Sequence, residues 1–307
     1  MENRSIGGVI ALLVASLLWG TTGTSATFFP GNVGPLAIGA CTMGVGGLLL
    51  VAASPRSTLG VLRDRSARRW VALGAIGVFV YPLAFYSAMN LAGVAVGNVV
   101  ALGTGPVFAA LYEWMGERHP LSRRWAVSTS VAVLGIVGLT VGRQAGKPGV
   151  SAATFAGVGL GLLAGAAYAL YTYASSRAIR SGEPSRGVMG AMFGLGAVLL
   201  LPVLLVTGAS LLQSWSTVAI AGYLAVGPMF AAYLLFGIGL RSVRSSAATT
   251  LTLLEPVVAT VLAVLVVGER LALVGWIGLV LVFAGLAILL TARREPEKGT
   301  ATLESGA

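Results

Sequence analysis

Residues 251–270 read LTLLEPVVATVLAVLVVGER, a run apolar enough to cross a bilayer that carries a carboxylate and a proline side by side. A charged side chain at bilayer depth costs about 3 kcal/mol on insertion scales, so such groups face a cavity or a partner and mark substrate or ion pathways. The neutral form of a carboxyl is the cheaper one in that environment. Glu255 is therefore both a substrate-contact candidate and the proton-coupling candidate. Its competing role is a hydrogen bond across a helix interface that only fixes packing. Pro256 has no N–H and leaves the Thr252 carbonyl without its usual intrahelical donor, so the pair is expected to break the helix locally. At helical spacing Thr249, Thr252 and Glu255 share one face.

Other polar and aromatic side chains fall inside apolar runs. Trp19 shares a helical stripe with Ser16, Thr22 and Gly23, and Asn98, Gly105 and Tyr112 recur every seven residues. Together with Tyr81, Tyr86, Asn90, Tyr168, Tyr233, Thr252 and Glu255, Trp19 and Asn98 form a set of cavity candidates suited to an amphipathic substrate with an apolar or aromatic body. For each tyrosine the plainer alternative is a hydroxyl satisfied by a neighbouring helix. Glu113, Glu117 and Glu269 lie near the ends of runs, where turn or interfacial roles are expected, and His119 is expected to be solvated at an interface.

Several chemistries are excluded by inventory. The chain has one Asp, one His and one Cys, so a Ser-His-Asp set would require Asp64 and His119 to meet across loops. The lone Cys41 permits no intramolecular disulfide and no thiolate metal cluster. No GxxxxGK[ST] loop is present to cradle ATP phosphates. No catalytic residue, metal or cofactor is expected.

The elements that must position these residues follow from composition. Of 307 residues 56% are hydrophobic and only 10% charged, against about 25% charged in soluble domains. Windows of roughly 20 apolar residues fall at about 6–28, 33–53, 70–90, 97–116, 124–142, 153–175, 187–207, 217–240, 246–267 and 273–292. The runs are near-continuous rather than alternating, which excludes barrel strands. The expectation is an all-α integral membrane protein with ten transmembrane helices. The first run is longer than a signal-peptide core and lacks a cleavage site, so it is kept as a mature helix. The 54–69 segment reads as an Arg-rich loop and 293–307 as a disordered tail.

Charge then sets orientation. Of the 20 Lys and Arg, Arg143, Lys147 and Arg270 fall in one set of alternate loops and 17 in the other. By the positive-inside rule both termini are cytoplasmic. Topology and contact with anionic lipid thus account for the net charge of +10, and no nucleic-acid partner is expected.

The pattern repeats. Pro106 matches Pro256 and Gly135 matches Gly285 at an offset of 150, and Gly116-Glu117-Arg118 matches Gly268-Glu269-Arg270 at 152. ASLLWG at 15–20 resembles AGAAYA at 164–169, which sets Trp19 against Tyr168. Pro106 and Pro256 are the two helix-break candidates. Two five-helix halves, 1–146 and 147–292, must be inverted because five is odd, an arrangement typical of secondary transporters. The carboxylate itself is not duplicated, since Gly105 stands where the second half has Glu255.

WGTTGTSA in the first span, the proline run ending GER in the fourth, and LLEPVVATVLAVLVVGERLALVGWIGLVLVFAGLAIL across the last two resemble the EamA-type branch of the drug/metabolite transporter superfamily. The resemblance covers nearly the whole chain. It implies a ten-helix exporter of amino acids, aromatic ones included, or other small metabolites. The first, third, fourth, sixth, eighth and ninth spans would line a central cavity. An uncoupled facilitator and a lipid flippase remain open as alternatives. Expected partners are a small-molecule substrate, membrane lipids and protons, in a monomer or homodimer of the bacterial cytoplasmic membrane. The charge distribution predicts that a C-terminal fusion is fluorescent with green fluorescent protein and inactive with alkaline phosphatase; the reverse pair of signals would invert the topology.

Overall fold

The computed structural model describes residues 2–92, 94–118, 122–144, 152–267 and 272–290, and these are almost entirely helical, with no strand among them. The 293–307 tail, the second Gly-Glu-Arg turn and His119 lie outside the described residues. In chain order the helices are α1 Glu2–Ala26, α2 Pro35–Ala53, α3 Pro55–Arg63, α4 Arg65–Ala92, α5 Val94–Glu117, α6 Arg123–Gln144, α7 Ala152–Arg180 and α8 Ser185–Thr207. They continue with α9 Trp215–Leu224, α10 Ala232–Gly239, α11 Ser245–Leu251, α12 Leu254–Leu262 and α13 Leu273–Leu290.

Seven segments among the described residues are long and apolar enough to cross a membrane: α1, α2, α4, α7, α8, α9 through α10, and α11 through α12 with the turn after it. The fourth, fifth and tenth apolar windows fall on α5, α6 and α13. The outer surface is apolar: Leu205, Val206 and Trp215 are 82%, 83% and 88% exposed. Such faces are stable against lipid tails and costly in water. This is a multi-pass membrane protein.

The 54–69 segment is not a loop. Pro55 opens the short helix α3, where a missing N–H costs nothing. Thr58 and Val61 are buried on one side of it while Arg56 and Arg63 stay outside, and α3 packs on α8. Nine residues with two arginines carry too short a period to stand out from a polar loop.

Two of the later spans are irregular, and a proline lies in each. Pro228 sits in a π-helical turn, Ala225–Ala231, between α9 and α10, where its missing N–H would otherwise bond the Leu224 carbonyl. The α9 start is fixed by a capping box in which Ser214 Oγ accepts from the Thr217 N–H at 3.2 Å and Thr217 Oγ1 accepts from the Ser214 N–H at 3.2 Å.

Packing is close and made by small residues, as expected where lipid supplies no hydrophobic drive between helices. α7 packs on α4 and α5, α2 on α8, and α6 on α13, while α1 packs on α10 and α12. A Cβ added at Gly157 would lie 2.6 Å from the Ala92 nitrogen, and one at Gly161 3.0 Å from Val100. At Gly135 it would meet the Gly278 carbonyl oxygen at 2.6 Å. Gly135→Val therefore costs about 1–3 kcal/mol through overpacking and lowers the melting temperature in detergent. Gly159→Val, at an exposed position with nothing within 4 Å of the new Cβ, leaves it near wild type.

Candidate functional site

Two adjoining chambers occupy the middle of the helix bundle. The inner has a volume of about 60 Å³ and the outer about 430 Å³. Trp19, Thr22, Phe85, Tyr86 and Glu255 line both, so these five form the neck between them. The outer chamber is walled by the end of α1, the start of α2, the end of α4 and the start of α5. That end of the bundle lies away from the arginines of α3, of the last turn of α7 and of the turn after α10.

The inner chamber is aromatic, and three of its tyrosine hydroxyls are paired with other hydroxyls. Trp19 packs on Tyr233 and Phe236 with ring centroids 4.9 and 5.3 Å apart, and Tyr81 stacks on Phe85 at 5.3 Å. Tyr171 and Tyr233 share a hydrogen bond between hydroxyls at 2.6 Å, and the Tyr168 hydroxyl bonds Thr252 Oγ1 at 2.7 Å. These bonds satisfy buried groups that would otherwise be costly, and they hold α7 against α10 and against the α11–α12 junction.

Glu255 projects from a real discontinuity. α11 ends at Leu251 and α12 begins at Leu254, and the Thr252 carbonyl, deprived of its donor by Pro256, accepts the Glu255 N–H at 2.9 Å instead. The break lies in the residues before the proline. Among the described residues the Glu255 carboxylate has no hydrogen bond or ion pair with the protein, although it lines both chambers.

Of the sequence candidates, Trp19, Tyr86 and Glu255 reach both chambers, Tyr81, Tyr168 and Tyr233 the inner one, and Asn90 and Asn98 the outer one. Thr252 stands behind the wall: it is buried and bonded to Tyr168 and to the Thr249 carbonyl. The face shared by Thr249, Thr252 and Glu255 is interrupted by the helix break. Pro106 lies within α5, which continues through it, so a helix break is seen before Pro256 only. A Cβ at Gly105 would lie 2.9 Å from a Tyr168 ring carbon. The Tyr168 ring thus fills the space a second carboxylate would need.

Other lining residues were not anticipated. Phe85 repeats one helical turn after Tyr81, a spacing that places it on the same face. Thr42 and Met43 bring α2 into the wall, beyond the six spans expected, and Met229 comes from the π-turn.

The EamA-like transporter family profile matches residues 6–141 and again 155–291. The chain belongs to this family. It is 32% identical to the uncharacterized transporter YwfM of Bacillus subtilis, over 94% of this chain and 96% of that protein. It is 26% identical to the threonine/homoserine exporter RhtA of Escherichia coli K12, over 94% and 92%. A solved crystal structure superposes with a TM-score of 0.77 at 24% identity, covering 94% of this chain and 96% of the other; that likeness concerns the fold.

At the opposite end of this EamA-family bundle polar contacts join α5 to α11. Glu113 of α5, near the end of its run, is buried against protein at 6% exposure. Its carboxylate accepts hydrogen bonds from Ser245 Oγ at 2.6 Å, Ser246 Oγ at 2.7 Å and the Ser246 N–H at 3.0 Å. It therefore caps the start of α11 from a different helix, where anionic groups are favoured. Beside it Arg177 pairs with Glu117 at 3.2 Å, and its guanidinium lies 5.2 Å from the Trp70 ring centroid. Hydrogen bonds to charged groups contribute about 1.5–3 kcal/mol each. Glu113→Ala should therefore lower thermal stability clearly, and it should raise labelling of a cysteine placed at Thr249 by a hydrophilic maleimide. Unchanged melting and labelling would show that the contact does not hold this end closed.

Proposed function

We propose that this EamA-family protein is a secondary transporter that exports small amphipathic metabolites across the bacterial cytoplasmic membrane by alternating access. Amino acids, aromatic ones among them, are the leading substrate class. The observation that carries the reading is a chamber with an unpaired carboxylate that opens toward one end of the bundle while Glu113 and its serine donors close the other. RhtA, a threonine/homoserine exporter by name, supports the direction and the size of the cargo. The reading assigns the protein no catalytic chemistry.

The proposal includes ten spans arranged as two inverted halves, 1–146 and 147–292, with both termini in the cytoplasm. Supporting it are the double match of the family profile and the packing of equivalent elements, α2 on α8 and α6 on α13. In this frame the sealed end is cytoplasmic and the described conformation faces outward. Inward opening then requires the Glu113 contacts to Ser245 and Ser246 to separate. Their strength sets how far the outward state is favoured, since a few kcal/mol between two conformations leaves the minor one scarcely populated.

Glu255 is the proposed site of proton coupling. The titratable side chains lining the inner chamber with it are Tyr81, Tyr86, Tyr168, Tyr171 and Tyr233, all neutral near pH 7, so it is the group whose charge changes. An uncoupled facilitator with the same substrates is the variant reading, since one carboxylate suffices for binding without exchange. Saturable counterflow of one substrate class in proteoliposomes is the expected result for either. Glu255→Gln is expected to flatten the pH profile of transport while expression stays intact; a fully active variant with an unchanged profile makes the carboxylate structural.

A further inference from the structure

The charge inventory of the cavity is one-sided. Both chambers are lined by Glu255 and by no Lys, Arg or His among the described residues. The Glu255 carboxylate is engaged by no protein donor there, and its backbone N–H is spent on the Thr252 carbonyl. The rings of Trp19, Phe85 and Tyr86 line the same neck, and Tyr81 stacks on Phe85. A carboxylate beside aromatic rings in a space shielded from water attracts a cation through direct charge and through the ring quadrupoles.

An incoming carboxylate meets the opposite situation. The donors left to it are neutral ones such as Thr22, Asn90 and Asn98, because the hydroxyls of Tyr168, Tyr171 and Tyr233 are already paired. Desolvating a charge without a counter-charge is expensive, and Glu255 adds repulsion. The outer chamber, about 430 Å³, falls within the roughly 300–1,000 Å³ typical of small-molecule pockets.

We infer that the central site recognises its substrate by a protonated amine carried on an apolar or aromatic body, and gains nothing from a substrate carboxylate. The ligand class is organic ammonium compounds. Amino acids enter through their ammonium group alone, and the decarboxylated amines are the better ligands. This inference rests on the cavity being the transport site.

The test is isothermal titration calorimetry at neutral pH on the purified full-length protein with three matched probes. These are 2-phenylethylamine, phenylalanine and 3-phenylpropionate: the cation, the zwitterion and the anion on one aromatic body. The amine is expected to bind roughly tenfold or more tightly than phenylalanine, the scale of a desolvated charge-assisted contact, and the anion not at all. Glu255→Gln should weaken the amine by about tenfold or more, and Glu255→Asp, which keeps the charge, should retain part of the affinity. Phenylalanine binding as tightly as the amine overturns the proposal, as does an amine affinity indifferent to Glu255→Gln, or no amine binding at all. Counterflow on the same preparation separates the two readings. Amino-acid exchange without amine binding removes the amine preference and leaves transport standing; amine binding without any exchange removes transport and leaves the preference.

Discussion

A carboxylate within an apolar span, met by no cation among the described residues, is the constraint around which the bundle is arranged. Placing that charge in hydrocarbon costs about 3 kcal/mol, so Glu255 must reach water, a proton or a ligand. The helix break before Pro256 brings it to the wall of the chambers, and the aromatic residues of α1, α4, α7 and α10 keep the surrounding space open by packing on one another. The Tyr171 and Tyr233 hydroxyls bond each other, and that of Tyr168 bonds Thr252. Glu255 and the indole N–H of Trp19 are thereby left as unpaired polar groups at the neck, and the site retains an open valence for something that arrives from outside.

The second acidic group of the interior has the opposite fate. Glu113 is fully engaged by two hydroxyls and a backbone N–H at the start of α11. The two carboxylates thus divide the work: one is satisfied by protein and joins α5 to α11 at the closed end, the other is unsatisfied and faces the cavity. Among the described residues every donor to Glu113 comes from α11, the seven-residue helix whose far end breaks to present Glu255, so one short helix carries a contact to each site.

Rare signals were the legible ones. An acid or a proline inside an apolar run has few reasons to be there, and Glu255, Trp19 and the tyrosines of α4, α7 and α10 do meet around one space. Phe85, Met43 and Met229 were invisible because an apolar residue lines a cavity and fills a core equally well. The place of Glu113 near the end of a run says nothing of its partners, because its burial depends on α11, more than a hundred residues away in sequence. The matched prolines diverged as well: α5 runs on through Pro106, whereas α11 and α12 part before Pro256. The lost symmetry of Glu255 has a local cause that only packing reveals, the Tyr168 ring against Gly105.

Alternation between two ends is the central claim, and spin-label distances in lipid nanodiscs measure it most directly. One label pair, replacing Arg118 and Arg244, spans the sealed end; a second, replacing Phe28 and Leu91, spans the open mouth. Added substrate or a change of pH is expected to lengthen the first distance as the second shortens, with two populations in each distribution. Distances that stay fixed and single at both ends under every condition would contradict a transporter that works by alternating access.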